Sequence, residues 1–242
     1  MAEEKLQGTW RDAEDGELSK NAVQHGSVDA TVAFHFVLDG DDFETVYYWV
    51  AVGTSVVEAQ DLNRYVLMKK PAHLMETTKD YWRAWVNKRN FSFYGLSPDL
   101  VDLFKKSLLI VKTHVDNKGA IIASADSDML SHGRDTYSYM WPRDGAFVAL
   151  ALDKSGYFES THQFFDFCNE VIMPEGYMMH KYLCDRSLGS SWHPWVGEEG
   201  HAHLPIQEDE TALVLFALWT HYDKQRDLEF VESIYNSFIK KA

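Results

Sequence analysis

The sequence predicts a mainly α-helical protein with a small β-rich portion near its N-terminus. From residue 97 onward, apolar side chains recur at the three- and four-residue spacing of amphipathic helices, in five separate segments. Before residue 55, two segments rich in β-branched and aromatic residues, 31–38 and 44–52, flank an Asp-Gly-Asp turn signal. We therefore expect strands first and helices afterwards.

The N-terminal elements are predicted to be a β-hairpin followed by helices. Segments 31–38 and 44–52 would be its strands, joined by a loop of several residues. Because two strands alone do not make a stable sheet, they need further partners. A helix is predicted over 55–70, and Pro71 ends it or starts the next one, since proline does not fit a helix interior. The amphipathic segment 79–90 is interpreted as a connector.

The C-terminal elements are predicted to be helices separated by turns and one long loop. Ser97 suits an N-cap and Pro98 the first helical position, so a helix is predicted over 97–111. A turn and a short strand should follow in 116–124. The remaining predicted helices cover 143–155, 158–173, 208–222 and 227–240. The loop at 185–206 is long for a compact domain, and long loops often have a function.

Composition excludes several classes of function. The formal net charge of −14 argues against nucleic acid and anionic membranes as partners, because both require a basic surface. No apolar run is long enough for a transmembrane helix, and no signal peptide is visible, so a cytoplasmic location is predicted. Cys168 and Cys184 fit free thiols in a reducing compartment. No cofactor is expected.

Aromatic residues make up 14% of the chain, including 8 Trp and 12 Tyr, and many lie in polar, loop-like surroundings. Tyr and Trp combine a flat apolar face with a polar atom, which suits the apolar faces and hydroxyl rims of sugar rings. A large helical core with some aromatic residues at the surface would explain the same composition. Composition alone favours this second interpretation.

The stretch YSYMWPRDGAF, residues 137–147, combines aromatic and charged side chains at a predicted helix start. A carboxylate such as Asp144 accepts hydrogen bonds from sugar hydroxyls, and a guanidinium such as Arg143 donates to them. The rings available for stacking on a sugar are Tyr137, Tyr139 and Trp141. Alternatively, Asp144 simply favours the helix dipole and pairs with Arg143.

The stretch LPIQEDETALVLFALW, residues 204–219, places four polar side chains before a nearly all-apolar helix, namely Gln207, Glu208, Asp209 and Glu210. Acidic residues at a helix start offset its dipole, which is one explanation. The other is that at least one of them faces a cavity, as paired carboxyls do in glycoside hydrolysis.

The long loop contains GSSWHPWVGEEGHAH, residues 189–203, with three histidines and the pair Glu198 and Glu199. Their spacing matches no standard zinc pattern, so no metal site is predicted. Trp192 and Trp195 are interpreted as aromatic residues of the loop beside a binding site.

Three stretches together, 8–30, 137–147 and 204–219, resemble bacterial and archaeal members of glycoside hydrolase family 15. This family contains glucoamylases, glucodextranases and some trehalases. The resemblance spans nearly the whole chain. It implies an N-terminal β-sandwich followed by an (α/α)6 barrel of six helical hairpins. It also implies release of glucose from the non-reducing ends of α-glucosides, with inversion at the anomeric carbon.

The resemblance assigns roles to individual residues. The Trp-x-Arg-Asp motif binds the terminal glucose in this family, so Arg143 and Asp144 would hold its hydroxyls. The aromatic residues implied to line the pocket are Tyr137, Tyr139 and Trp141. Gln207 and Asp209 would face the neighbouring subsite. Trp192 or Trp195 would supply an aromatic wall, although that loop departs from the family pattern.

The catalytic acid and base are not expected within this chain. The family's general acid lies in a Trp-Glu-Glu segment that is missing after residue 211, and Glu210 is the fallback candidate. The chain is therefore expected to be a fragment, with sandwich remnant at 1–54, helical linker at 55–95 and the first half of the barrel at 96–242. Self-association through the exposed barrel flank is expected, with an α-glucoside or maltooligosaccharide as substrate.

An inactive carbohydrate-binding or regulatory module with a decayed barrel is the alternative to an enzyme. Relatives with this barrel serve as regulatory subunits of a kinase. Maltodextrin, dextran and trehalose all stay open as substrates, because they differ at the second subsite.

Overall fold

The computed structural model describes residues 9–20, 23, 29–125, 136–190, 196–203 and 205–242. The chain divides into two compact units, the first ending at Pro71 and the second beginning at Ala72. The domain boundaries predicted at residues 54 and 95 stay predictions.

The first unit contains helix α1, Val56–Lys69, within one residue of its predicted bounds at either end. The Ser55 side chain caps it by accepting a hydrogen bond from the Glu58 N–H. Glu58 in turn accepts from the backbone N–H of Thr54 at 2.6 Å. The first bond satisfies a donor that a helix start otherwise leaves unpaired, and the second ties the preceding residue to the first turn, so the sequence specifies this helix start locally.

The β-hairpin predicted before α1 is wrong. Residues 31–38 and 44–52 form neither strands nor a ladder in the part of the chain that the structure describes. The turn between them does form, and the Asp42 N–H donates to the Asp39 carbonyl at 3.1 Å. Residues 31–38 are all exposed, Val37 at 96%, so none of the described residues buries this segment. Without an apolar surface to pack against and without further strands, strand propensity does not produce a sheet.

Helices dominate the second unit, as the apolar spacing predicts. Its helices are α2 (Pro71–Val86), α3 (Pro98–Thr113), α4 (Pro142–Lys154), α5 (Phe158–Val171), α6 (Glu210–Gln225) and α7 (Leu228–Ile234). A π-helical turn, Tyr235–Ile239, follows α7. The predicted helices of this unit are confirmed, with bounds shifted by up to a turn. The connector predicted at 79–90 is the C-terminal part of α2, whose start at Pro71 agrees with the predicted proline boundary.

Helix α4 is the centre of the core, because it packs against both α5 and α6. Phe164, Phe165 and Phe167 of α5 are completely buried. Each contributes about 1.5–3 kcal/mol through the apolar surface it removes from water. At Gly145 of α4, a Cβ atom would lie 2.4 Å from the Phe164 ring, so the glycine allows the two helices to approach closely.

A buried polar cluster of Asp153, Thr161 and His221 joins α4, α5 and α6. The Thr161 hydroxyl donates to Asp153 Oδ1 at 2.6 Å. His221 Nδ1 lies 3.0 Å from the same oxygen and 3.2 Å from the Thr161 hydroxyl. All three residues are at most 2% exposed. A buried polar cluster of this kind stabilises a fold only when its members satisfy one another, as they do here.

Isolated β-bridges align short segments beside the start of α4. The bridged pairs are Val115–Ile121, Ile122–Met140, Met140–Tyr182 and Tyr182–Leu188. The short strand predicted in 116–124 is thus reduced to single bridges. These bridges hold residues 180–182 beside the motif that opens α4. Within the described ranges, no helix is both long and apolar enough to cross a membrane.

Candidate functional site

The motif at residues 137–147 forms the last bridge before α4 and the first turn of that helix. Met140 exchanges two backbone hydrogen bonds with Tyr182, at 2.8 and 2.9 Å. Pro142 then begins α4, where its fixed backbone angle and missing N–H are both tolerated. The backbone on both sides of Trp141 is therefore held in place.

The three aromatic residues predicted to line a pocket lie together. The Trp141 ring centroid is 5.7 Å from that of Tyr137 and 5.8 Å from that of Tyr139. Lys181 adds a cation 4.3 Å from the Tyr139 ring centroid, within cation–π range. Trp141 is 5% exposed and Tyr139 8%, whereas Tyr137 is 40% exposed. Tyr137 thus offers the accessible ring, and the other two rings lie behind it.

His180 holds Trp141 from the neighbouring segment. The indole N–H of Trp141 donates to His180 Nε2 at 3.0 Å. The pKa of His180 is lowered by burial and by the nearby positive charges of Lys181 and Arg143. Sequence reasoning missed His180, and no local signal was available, because 39 residues separate the two partners.

Arg143 and Asp209 connect the two sequence motifs. Arg143 Nη1 lies 3.2 Å from both carboxylate oxygens of Asp209, which is 66 residues further along the chain. The pair sits where α4 and α6 begin, and both side chains are partly exposed. Asp144, next to Arg143, is exposed and has no side-chain hydrogen bond to a described residue. The pairing of Asp144 with Arg143 considered from the sequence is therefore not made.

Glu210 is the buried carboxyl of the site. It is the first residue of α6 and is completely inaccessible to solvent. Neither carboxyl oxygen has a hydrogen-bond partner among the described residues. Burial raises the pKa of Glu210 to about 8; Asp209 and Asp144 add to the rise, while Arg143 opposes it. Glu210 is therefore predominantly protonated at neutral pH.

Gln207 and Asp209, both predicted to face the neighbouring subsite, are placed differently. Asp209 contacts Arg143, whereas Gln207 lines a cavity of about 260 Å³ together with Tyr177 and Thr211. The Gln207 side-chain oxygen is buried there without a hydrogen-bond partner in the described part of the chain. A second, smaller cavity of about 30 Å³ is lined by His180, among other residues.

Part of the long loop lies outside the described residues, including Trp192 and Trp195. In the described part, a turn brings the Gly197 N–H to the His201 carbonyl at 2.9 Å. Glu198 and Glu199 are exposed. Across the described ranges, no group of three or more His, Cys, Asp or Glu side chains is placed to hold a metal ion.

The arrangement suits a ligand with several hydroxyl groups. Arg143 supplies donors and is held by Asp209, and the exposed carboxylate of the neighbouring Asp144 supplies acceptors. Tyr137 adds an exposed aromatic face. The site is neither strongly acidic nor strongly basic at its centre, because the guanidinium offsets one carboxylate and Glu210 is neutral.

Comparison with known proteins relates the chain to glycosyl hydrolases. No family model matches it. The chain is 24% identical, over 181 residues, to an uncharacterized glycosyl hydrolase of Methanocaldococcus jannaschii. The matched region covers 73% of this chain and 26% of that protein. The chain thus spans about a quarter of that relative's length.

Solved structures similar to the chain include a wild-type glycosidase and a glycosidase variant in complex with glucose. Each has a TM-score of 0.45 and 21% sequence identity, and each match covers 61% of this chain and 42% of the other.

Proposed function

We propose that the full-length protein is a glycoside hydrolase of the glucoamylase type, and that this chain contains its sugar-binding residues. The observation that supports the proposal most is the contact between Arg143 and Asp209, which unites two distant motifs beside Asp144. Sequence similarity to a glycosyl hydrolase supports the reaction class. The substrate would be an α-glucoside or maltooligosaccharide, bound by its non-reducing glucose.

Arg143 and Asp144 would provide the hydrogen bonds that select the glucose. The guanidinium donates to two neighbouring hydroxyl oxygens, and the exposed Asp144 carboxylate accepts from hydroxyl groups. Asp209 fixes the guanidinium by contacting Nη1 with both of its oxygens. Tyr137 would stack on the apolar face of the ring, because it is the exposed aromatic residue of the cluster.

The acid and base of an inverting reaction are proposed to lie outside this chain. Such a reaction needs one protonated carboxyl at the glycosidic oxygen and a second carboxylate activating water, roughly 6.5–9.5 Å apart. Glu210 is protonated, but its complete burial prevents contact with a substrate. We therefore assign it no catalytic role and expect the 242-residue chain to release no glucose from maltose.

Asp144 provides the direct test of sugar binding. We expect Asp144→Asn to weaken glucose binding by about tenfold or more in calorimetric titrations, since a charge-assisted hydrogen bond is worth ~1.5–3 kcal/mol. Asp99→Asn is the matched control, because Asp99 is likewise an exposed, first-turn acid, in α3. Equal effects of both substitutions would show that Asp144 acts only on the helix dipole.

Turnover tests the assignment of the catalytic groups. Glucose release from maltose by the 242-residue chain, lost in Glu210→Gln, would overturn both the placement of the acid and the role of this chain. A full-length protein that binds glucose but hydrolyses neither maltose, dextran nor trehalose would instead be a carbohydrate-binding or regulatory module.

A reducing location such as the cytoplasm is supported by both cysteines being free thiols.

Self-association is proposed through an apolar face of α4 and α6. Phe147 lies four residues after Arg143, and Phe216 seven after Asp209, so each shares the helix face of its charged residue. Because Arg143 contacts Asp209, these two faces are adjacent. Phe147, Phe216 and Trp219 are 57%, 56% and 61% exposed. A second copy of the chain would cover them.

Light scattering at increasing protein concentration tests the apolar face. We expect a mass above 27.9 kDa for the unmodified chain and a return toward that value in Phe216→Ser/Trp219→Ser. Leu100→Ser, at an exposed apolar position on α3, is the control and should leave the mass unchanged. A mass of 27.9 kDa at every concentration would contradict self-association.

A further inference from the structure

The contact between Trp141 and His180 is fixed from both sides. Trp141 lies between Met140, which bridges to Tyr182, and Pro142, which begins α4. His180 lies two residues before the bridge at Tyr182, and its backbone N–H donates to the carbonyl of Pro205 at 2.7 Å. The two rings meet edge to face, with centroids 6.0 Å apart. The hydrogen bond between the side chains thus joins two segments whose backbones are already positioned.

The chemistry of the two rings determines the protonation state of His180. The indole N–H can only donate, so the His180 Nε2 atom must accept through its lone pair. His180 is therefore neutral in this arrangement, and its ring proton lies on Nδ1. An imidazolium carries a proton on both nitrogens and cannot accept this bond. Protonation of His180 must break the hydrogen bond from the Trp141 indole N–H.

The charged groups around His180 favour the neutral ring. Lys181 follows it in the same segment, and Arg143 approaches from α4; both positive charges lower the pKa of His180. At the N-cap of α6, Asp209 contacts Arg143 and offsets part of that charge. Burial acts in the same direction as the cations and is the largest cause. The contact with Trp141 is thus maintained at neutral pH and opposed only in acid.

We propose that His180 is a positioning residue for sugar recognition, which holds Trp141 in place behind Tyr137 and releases it on protonation. The Trp141 and Tyr137 ring centroids are 5.7 Å apart and the rings are inclined by 33°. Movement of the Trp141 ring therefore removes the support behind the exposed Tyr137 ring. This inference rests on the proposed function. It adds that sugar affinity falls at acidic pH, because His180 becomes protonated there.

Two substitutions of His180 separate the effect of its hydrogen-bond acceptor from that of its planar ring. His180→Gln provides an amide oxygen that accepts at every pH. His180→Phe keeps a planar ring but provides no acceptor. His73→Gln, at an exposed position on α2, is the matched control for removing a histidine. Circular dichroism verifies that each variant folds.

The first measurement follows the Trp141 indole N–H resonance by NMR between pH 8 and pH 4.5, without sugar. The chain has 8 Trp, and the resonance missing in Trp141→Phe identifies the relevant one. We expect it to shift below pH 6.5 in the unmodified chain and in His73→Gln. In His180→Gln it should stay constant over the same range.

The second measurement is glucose affinity by calorimetry at pH 7.5 and pH 5. The unmodified chain should lose about fivefold to tenfold in affinity at pH 5, the effect of one hydrogen bond. His180→Gln should keep its neutral-pH affinity at both values. His180→Phe should be weakened by a similar factor at both, without pH dependence.

The outcomes distinguish this inference from the proposed function. A pH-dependent Trp141 resonance that persists in His180→Gln, or unchanged affinity in His180→Phe, would overturn the role of His180. No glucose binding by the unmodified chain at either pH would refute the proposed function. In that case the resonance would still report separately whether His180 holds Trp141.

Discussion

Replacing Glu210 with glutamine should remove a large pH dependence of stability. The pKa of Glu210 is raised from the ordinary 4.5 to about 8, mainly by burial. In the unfolded chain the carboxyl loses its proton near pH 4.5, while the folded chain keeps it up to about pH 8. The free energy of unfolding therefore falls as pH rises through this window. The stability that the neutral Glu210 carboxyl contributes is complete below about pH 4.5 and is lost above about pH 8.

The size of the effect follows from the pKa. One pKa unit corresponds to about 1.4 kcal/mol, so the whole window corresponds to about 5 kcal/mol. This is comparable to the total stability of a small domain. Glu210→Gln cannot titrate, and its amide keeps the shape of the neutral acid. The unmodified chain should therefore lose stability relative to this variant by about 1.4 kcal/mol per pH unit between pH 5 and pH 8.

Urea unfolding followed by circular dichroism at pH 5, 6, 7 and 8 measures this difference. Glu208→Gln is the control, because Glu208 is exposed and two residues away. Its stability curve should run parallel to that of the unmodified chain. If Glu210→Gln also gives a parallel curve, Glu210 is ionised in the folded protein, and the neutral carboxyl inferred from its burial does not exist.

Two core substitutions test the packing around α4. Asp153→Ala should destabilise the fold by about 3–5 kcal/mol in urea unfolding, because it leaves a buried histidine and threonine without their partner. Asp223→Ala removes an exposed ion pair and should change stability by less than ~0.5 kcal/mol; similar losses would contradict the cluster's role. Gly145→Ala should lower the melting temperature through overpacking worth about 1–3 kcal/mol. Gly40→Ala has open space around its Cβ and should not, so equal stability of the two variants would refute the close approach.

Local signals made the helices predictable from the sequence. Ser97 and Pro98 specify the start of α3 through short-range hydrogen bonding and a fixed backbone angle, and the structure has both features. Proline likewise marks the start of α4, where Pro142 supplies the fixed backbone angle, although Trp141 before it makes no side-chain cap hydrogen bond. Prediction failed for the β-hairpin because a stable ladder depends on further strands, which the β-branched and aromatic residues of segments 31–38 and 44–52 do not reveal.

The candidate site was predictable in its components and not in its contacts. The motifs around Arg143 and Asp209 were identified separately, but only folding brings these side chains within 3.2 Å. His180 and Lys181 were missed because they belong to a loop whose position depends on the bridge between Met140 and Tyr182. The neutral state of Glu210 depends on burial, which its acidic neighbours in the sequence do not indicate.

The buried cluster of Asp153, Thr161 and His221 has a consequence for how this chain can diverge over evolutionary time. An apolar trio of similar volume could be as stable as the polar one. Each single replacement, however, leaves buried polar groups unsatisfied and costs several kcal/mol. A lineage could cross between the two versions only by changing the positions almost together. We therefore expect descendants of this sequence to inherit the three residues as a unit and to vary freely around them.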